Sequence, residues 1–157
     1  MGAAGCNRNW PDGRGVFTAR SREFIVWVNE EDHLRVISMQ AGGDVAAVFD
    51  RLARGVAEIE AALLRAGGGD GGDGACGGAF AWDPRFGYVT ACPTNLGTTL
   101  RASVHVRLPL LSARPRELAA AAAALGLDVR GVHGEHSESV GGVWDVSNRR
   151  RLGVTEV

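Results

Sequence analysis

Lysine is absent from this 157-residue chain, and all 17 of its basic side chains are arginine. Without lysine, Schiff-base chemistry and the P-loop type of nucleotide site are excluded. Arginine leaves bidentate recognition of phosphate or carboxylate groups available. Because 18 acidic residues nearly balance the basic ones, the net charge gives no reason to expect a nucleic-acid partner.

Paired cysteines and long apolar segments are missing as well. No stretch approaches the ~20 apolar residues of a membrane span, and the residues after Met1 lack the apolar segment of a secretory signal. Cys6, Cys76 and Cys92 are too widely spaced for a disulfide framework or a zinc site. We therefore expect a cytoplasmic protein with reduced thiols and no membrane partner.

The first half of the chain contains a predicted hairpin and helix. Residues 23–30 and 34–40 are β-branched and aromatic runs joined by the polar residues 31–33, which predicts a β-hairpin. Apolar side chains on both alternating faces of the first run indicate a strand covered on both sides. Asp44 precedes apolar residues at helical spacing, which predicts an N-capped amphipathic helix over residues 45–65.

The rest of the chain predicts a flexible loop, four strands and a second helix. The loop covers residues 67–78, where eight glycines and two aspartates cannot form a core. The helix starts at Pro115 and ends before Gly126. The strands are predicted at residues 86–91, 99–109, 128–132 and 143–147. This order favours an α+β fold with a largely antiparallel sheet flanked by helices.

Two features could bind a cation or react with one. The acidic turn at residues 30–32 could grip a guanidinium or ammonium group, although charged hairpin tips are often only solvated. Cys92, followed by Pro93 and Thr94, could be a hydrogen-bonded thiolate or a small buried hydrophobic residue. The pattern alone leaves both alternatives open.

Two other features could bind an anion. Arg35, Arg101 and Arg130 lie in or at the end of predicted strands, which weakly suggests a phosphate clamp. The polar row that contains Arg101 on strand 99–109 is either a solvated face or the floor of an anion site, and the pattern favours solvent. A polar loop with Glu135 and His136 is flanked by glycines that permit closure over a ligand.

Five blocks of this sequence, in the same order, resemble the phosphagen (ATP:guanidino) kinases. The blocks are Trp10–Gly15, Trp27–Gln40, Cys92–Thr98, Arg101–His105 and Gly141–Asn148. Within that family the chain is most similar to the arginine kinase branch, because Arg130 and Gly131 lead into Gly134-Glu135-His136. Val132 and His133 depart from the threonine and arginine expected there.

The resemblance implies an incomplete catalytic domain of the glutamine-synthetase/guanidino-kinase-like type. Residues 1–157 would be part of the C-terminal catalytic domain, and the helical N-terminal domain would be absent. A Ser-Ser-Arg-Val-Arg-like segment that supplies further arginines would be absent too. We therefore expect this chain to be unstable or inactive by itself.

The implied activity is reversible transfer of the ATP γ-phosphoryl group, with Mg²⁺, to a guanidine nitrogen, with L-arginine as the first candidate. The alternatives are a kinase of arginine residues in proteins, or a kinase of creatine, taurocyamine or lombricine. A noncatalytic nucleotide-binding remnant is a further alternative.

The resemblance also implies roles for individual residues. Glu31 and Glu135 would hold the guanidinium, and Cys92 would lie beside it as a thiolate that Thr94 favours. Glu30 would reach Mg²⁺ through water. The groups around the nucleotide would be Arg35, Arg101, Ala102, Ser103, Val104, His105, Arg130, Gly131, Val132, His133, Gly134, Glu135, His136 and Asp145.

Overall fold

A computed structural model describes residues 10–67, 78–132 and 140–154. The chain divides into two compact units, residues 1–96 and residues 97–157. The glycine-rich segment lies almost entirely outside the described residues. No described helix is both long enough and apolar enough to cross a membrane.

The first unit contains a three-stranded antiparallel sheet. Its strands are β1 (Gly15–Thr18), β2 (Phe24–Val28) and β3 (Leu34–Ser38), in the order β1-β2-β3. The predicted hairpin is therefore present as β2 and β3, whereas β1 was not predicted. All five residues of the central strand β2 are half-buried, so the expected complete cover on both faces is not found among the described residues.

Helix α1 (Val45–Arg65) packs against this sheet, as its apolar spacing predicts. Asp44 caps it, because the Asp44 carboxylate accepts a 2.9 Å hydrogen bond from the backbone N–H of Ala47. The Ser38 hydroxyl on β3 donates to the carbonyl of Val48 at 2.9 Å. A side chain at Gly55 would overlap the Phe24 ring, so this glycine allows the close approach of helix and strand.

Only two residues of the strand predicted at 86–91 are strand. They form β5 (Gly87–Tyr88), which pairs with β4 (Trp82–Asp83). The strand starts later than predicted because the Asp83 carboxylate accepts hydrogen bonds from the N–H groups of Arg85 and Phe86, which makes a turn. After Tyr88 the Val89 N–H still donates to the Ala81 carbonyl, and the Thr90 hydroxyl then donates to the carbonyl of Cys92. Cys92 then precedes a short 3₁₀ helix, Pro93–Asn95.

The second unit contains another three-stranded antiparallel sheet, in the order β6-β8-β7. Strand β6 (Ser103–Arg107) is shorter than the predicted strand 99–109 at both ends. At its start, Thr99 has a left-handed φ of 56° and the Ala102 N–H donates to the Asn148 side chain; at its end, Pro109 starts the short helix α2 (Pro109–Ser112). The other elements agree with prediction to within one or two residues: α3 (Pro115–Ala124), β7 (Leu127–Gly131) and β8 (Val143–Asn148).

The core of the second unit lies between its sheet and α3. Leu118 and Ala122 of α3 are buried, and so is Ser147 of β8. Together the two units have antiparallel sheets and flanking helices, which confirms the predicted α+β class.

Candidate active site

The acidic turn between β2 and β3 is held in shape by Asn29. This residue has a left-handed φ of 54°, a conformation that asparagine tolerates better than most residues. Its N–H donates to the carbonyl of His33 at 2.9 Å, and its side-chain amide donates to the carbonyl of Gly13 at 2.6 Å. Arg14 donates to the Asn29 carbonyl at 2.7 Å. The three carboxylates of the turn therefore project from a braced backbone.

Glu30 and Glu31 have different surroundings. The Glu30 side chain is 3% exposed, and its Oε2 lies 3.1 Å from the Arg35 guanidinium. The Glu31 side chain is 53% exposed and its Oε2 lies 3.9 Å from the same guanidinium. The guanidinium carbon of Arg35 also lies 5.5 Å from the centre of the ring of Trp27, its neighbour across the sheet. Glu31 is thus the carboxylate that a ligand can reach.

Cys92 lies beside this turn, 60 positions further along the chain. Its backbone N–H donates to Asp32 Oδ1 at 2.9 Å, and the side-chain amide of Asn95 donates to Asp32 Oδ2 at 2.7 Å. Cys92 Sγ lies 3.0 Å from the Thr94 hydroxyl. The first unit therefore brings Glu31, Cys92 and Thr94 into one neighbourhood. Sequence reasoning did not single out Asp32 as the residue that joins them.

In the second unit, Arg101 and Arg130 of the predicted phosphate clamp lie at one polar face of the sheet. Asp145 on β8 is directly opposite His105 on β6 and Arg130 on β7, so these three side chains share one face. Arg101 NH2 lies 2.6 Å from Asp145 Oδ2. Asp145 Oδ1 is buried and has no hydrogen-bond partner. A carboxylate thus shares this face with two arginines and a histidine.

The remaining predicted nucleotide residues are backbone neighbours of this face. Ala102 is held by Asn148, whose side-chain oxygen accepts from the Ala102 N–H at 2.9 Å. Ser103 is exposed on the polar face, whereas Val104 points to the opposite face. Gly131 is buried at the end of β7, and Val132 follows it. His133, Gly134, Glu135 and His136 lie outside the described residues.

Glu30 is the residue that the sequence predicts to contact a metal. No cluster of three or more His, Cys, Asp or Glu side chains that could hold a metal ion occurs in the described part of the chain. Mg²⁺, however, often keeps several waters and is bound by substrate phosphates with only one or two carboxylates. Glu30 Oε2 is buried and forms no hydrogen bond, since its Arg35 contact is an ion pair without hydrogen-bond geometry. An outer contact through water is compatible with that carboxylate.

Comparison with known proteins decides the family. Residues 3–157 match the family described as ATP:guanido phosphotransferase, C-terminal catalytic domain. This chain belongs to that family. An arginine kinase from Limulus polyphemus is 52% identical over 149 residues, and a taurocyamine kinase from Schistosoma mansoni is 48% identical over 156 residues. A crystal structure of lombricine kinase superposes with a TM-score of 0.81 at 46% identity. The resemblance carried by the five sequence blocks is thus confirmed.

The matches include nearly all of this chain but a smaller share of each relative. They cover 95% of the chain for the arginine kinase, 98% for the taurocyamine kinase and 95% for the lombricine kinase. The chain spans 38%, 18% and 38%, respectively, of those proteins.

Proposed function

We propose that this chain carries the central part of a phosphagen kinase catalytic domain. The reaction is reversible transfer of the γ-phosphoryl group of ATP to a guanidine nitrogen. The observation that carries this proposal is in the first unit, where an accessible glutamate and a cysteine are braced through Asp32. A planar cation with several N–H donors is the ligand that such acceptor groups recognise.

On the substrate side, Glu31 holds the guanidinium and accepts a proton from the attacking nitrogen. A guanidinium is a poor nucleophile because its lone pairs are delocalised and its pKa is above about 12. Fixing it between a carboxylate and the sulfur of Cys92 aligns one nitrogen with the γ-phosphorus. A nitrogen–phosphorus bond then forms, the bond from phosphorus to the β,γ-bridging oxygen breaks, and ADP leaves. Glu135 would be the second carboxylate on the guanidinium.

On the nucleotide side, arginines neutralise the phosphate charge. Phosphoryl transfer needs little covalent help from the protein and depends on positioning and on charge stabilisation. Arg101 and Arg130 share the polar face of the second unit, and Asp145 orients Arg101. In the first unit, Glu30 and Trp27 hold Arg35 in place, and we assign Arg35 to phosphate binding as well. Bound Mg²⁺ would supply further charge neutralisation on the phosphates, with Glu30 as its water-mediated protein contact.

L-Arginine is our first candidate for the acceptor. The similar proteins are named for arginine, taurocyamine and lombricine, which all carry a guanidino group, so the shared chemistry is the guanidine. Taurocyamine, lombricine, creatine and an arginine residue of a protein remain the alternatives. We also propose a cytoplasmic location, as the wide spacing of Cys6, Cys76 and Cys92 in the sequence suggests.

The proposal is tested by assaying ADP release in the presence of Mg²⁺-ATP and each acceptor. The chain is assayed alone and also grafted in place of the matching segment of the Limulus arginine kinase, because it spans 38% of that protein. We expect the graft to phosphorylate free arginine and the chain alone to be inactive. A folded graft that binds ADP but transfers phosphate to no guanidine would refute the proposal. Transfer only to an unfolded arginine-rich protein would favour the protein-kinase alternative.

A further inference from the structure

The backbone N–H and the carbonyl of Cys92 both form hydrogen bonds, and the partner of the N–H is Asp32 of the acidic turn. The carbonyl of Cys92 accepts from the Thr90 hydroxyl at 2.7 Å and from the Asn95 N–H at 3.0 Å. Both bonds join residues of one short segment, residues 90–95, which we call the cysteine segment. The N–H of Cys92 instead donates to Asp32 Oδ1 at 2.9 Å, across 60 positions of sequence. Asp32 thus ties the cysteine segment to the acidic turn.

Asp32 uses both of its oxygens for this attachment. Oδ2 accepts from the side-chain amide of Asn95 at 2.7 Å, so the carboxylate bridges the first and last residues of the turn from Cys92 to Asn95. A carboxylate that accepts two N–H groups at such distances makes strong, directional bonds. Asp32 is half-buried, whereas its neighbour Glu31 is exposed. The turn thus directs one carboxylate toward the cysteine segment and presents the next one to a ligand.

We propose that Asp32 is the positioning residue of the guanidine site. Its carboxylate sets where Cys92 stands relative to Glu31, because Asp32 is the chain neighbour of one and the hydrogen-bond partner of the other. This inference rests on the proposed function, in which both groups contact the guanidinium. Asp32 itself does not contact the substrate. Its contribution is geometric, and misplacement of a reacting group by about 1 Å can cost about 100-fold in rate.

If Asp32 acts by positioning, substitutions at residue 32 should lower kcat only when they remove its hydrogen bonds. In Asp32→Ala both bonds are lost, so we expect the kcat of the graft to fall about 100-fold. In Asp32→Asn the side-chain oxygen still accepts from the Cys92 N–H, and the new amide can donate to the Asn95 oxygen once that amide turns over. We expect Asp32→Asn to recover most of the rate, with the KM for ATP within about twofold in both variants. If Asp32→Asn were as slow as Asp32→Ala, the charge and not the position would matter, and the proposal would fail.

Exchanging the side chains of residues 32 and 95 tests the hydrogen bond between the Asn95 amide and Asp32 Oδ2. Asn95→Asp places two carboxylates against each other, so the bridge opens and we expect kcat to fall about as far as in Asp32→Ala. Asp32→Asn combined with Asn95→Asp restores a donor opposite an acceptor, so we expect the double variant to be faster than Asn95→Asp by about tenfold. Rates in the double variant that equal the product of the two single effects would contradict the bridge.

A direct readout of the Asp32–Cys92 bond does not depend on phosphoryl transfer. Labelling the graft with ¹⁵N-cysteine gives one backbone amide signal for each cysteine, and Cys92→Ser identifies the signal of position 92. We expect the Cys92 amide to exchange with solvent slowly in the wild-type graft and in Asp32→Asn, and at least about tenfold faster in Asp32→Ala. Asp83→Asn is the matched control, because Asp83 also accepts from two N–H groups, both of them within its own turn.

The two readouts separate the possible failures. Fast exchange of the Cys92 amide in the wild-type graft, with the graft shown to be folded by circular dichroism, would overturn the positioning role. Slow exchange together with a graft that transfers phosphate to no guanidine would leave the bond in place and refute only the proposed function. An unchanged kcat in Asp32→Ala despite faster exchange would show that Asp32 holds the segment without affecting the reaction, which also overturns the proposal.

Discussion

Gly97 occupies a position in the second unit that a larger residue cannot take. Its φ is +109°, and a Cβ built on it would overlap the carbonyl oxygen of Arg151. The same atom would lie 2.6 Å from the Arg151 carbonyl carbon and 2.8 Å from the Cα of Leu152. Real Cβ atoms are not found this close to backbone atoms, so the two segments of chain must separate in Gly97→Ala.

The cost of that separation has two sources. A positive φ at a residue with a Cβ costs about 1–2 kcal/mol. The Arg151 carbonyl also accepts the Thr98 N–H at 3.0 Å, and moving it away loses a hydrogen bond that contributes about 1 kcal/mol. We therefore expect Gly97→Ala to lower the free energy of unfolding by about 3 kcal/mol, and to lower the melting temperature by about 10 °C in a chain of this length.

Urea unfolding followed by tryptophan fluorescence measures this change, with two matched controls. Gly153→Ala has a positive φ of 71° but nothing within 4 Å of the added Cβ, so only about 1 kcal/mol should be lost. Gly43→Ala also meets no neighbour and its φ is not in the left-handed region, so its stability should stay within about 0.5 kcal/mol or rise. A Gly97→Ala variant no less stable than Gly153→Ala would refute the close-approach argument.

Three further substitutions have defined outcomes. Glu31→Gln should lower the kcat of the graft about 100-fold because the proton acceptor is lost, whereas Glu58→Gln, on the exposed side of α1, should leave it unchanged. Arg101→Ala should raise the KM for ATP about tenfold in steady-state kinetics, and Arg54→Ala, whose side chain is 73% exposed, should not. Asp44→Ala should lower the free energy of unfolding by about 1 kcal/mol in urea titration, because the N-cap of α1 is lost; an unchanged midpoint would contradict the capping role.

The fold was predictable in segments where the apolar spacing extends over many residues and where a cap or a polar turn marks the ends. Helix α1 begins after Asp44 and ends at Arg65, as its apolar spacing and its cap predict. The hairpin of β2 and β3 followed from two β-branched runs around a polar turn. Strand β1 is only four residues long, too short for alternation to distinguish it from a loop.

The errors have local causes that alternation does not reveal. In the predicted strand 99–109, alternation continues to Leu108, yet pairing stops at Arg107 because Pro109 starts a helix. In the predicted strand 86–91, the Asp83 carboxylate holds the Phe86 N–H in a turn at one end, and the Thr90 hydroxyl donates to the Cys92 carbonyl at the other. Each of these interactions is local, and none of them changes the apolar pattern of the segment.

The candidate site was predictable as a set of residues but not as a set of contacts. Sequence blocks identified Glu31, Cys92 and Arg101, because each block resembles a phosphagen kinase block. The contacts that hold them, from Asp32 to Cys92 and from Asp145 to Arg101, join residues 60 and 44 positions apart. Such pairs depend on how elements pack, and one sequence contains no spacing signal for them.

The central claim is that acidic and sulfur groups of the first unit hold a guanidine for attack on the γ-phosphorus of ATP. Nuclear magnetic resonance of ³¹P during incubation of the graft with ATP and arginine labelled with ¹⁵N in its guanidino group tests it most directly. We expect a product signal split by ¹⁵N, which requires a phosphorus–nitrogen bond, and we expect that signal to grow about 100-fold more slowly in Glu31→Gln. Release of inorganic phosphate alone, or an equal rate of product formation in Glu31→Gln, would contradict the account.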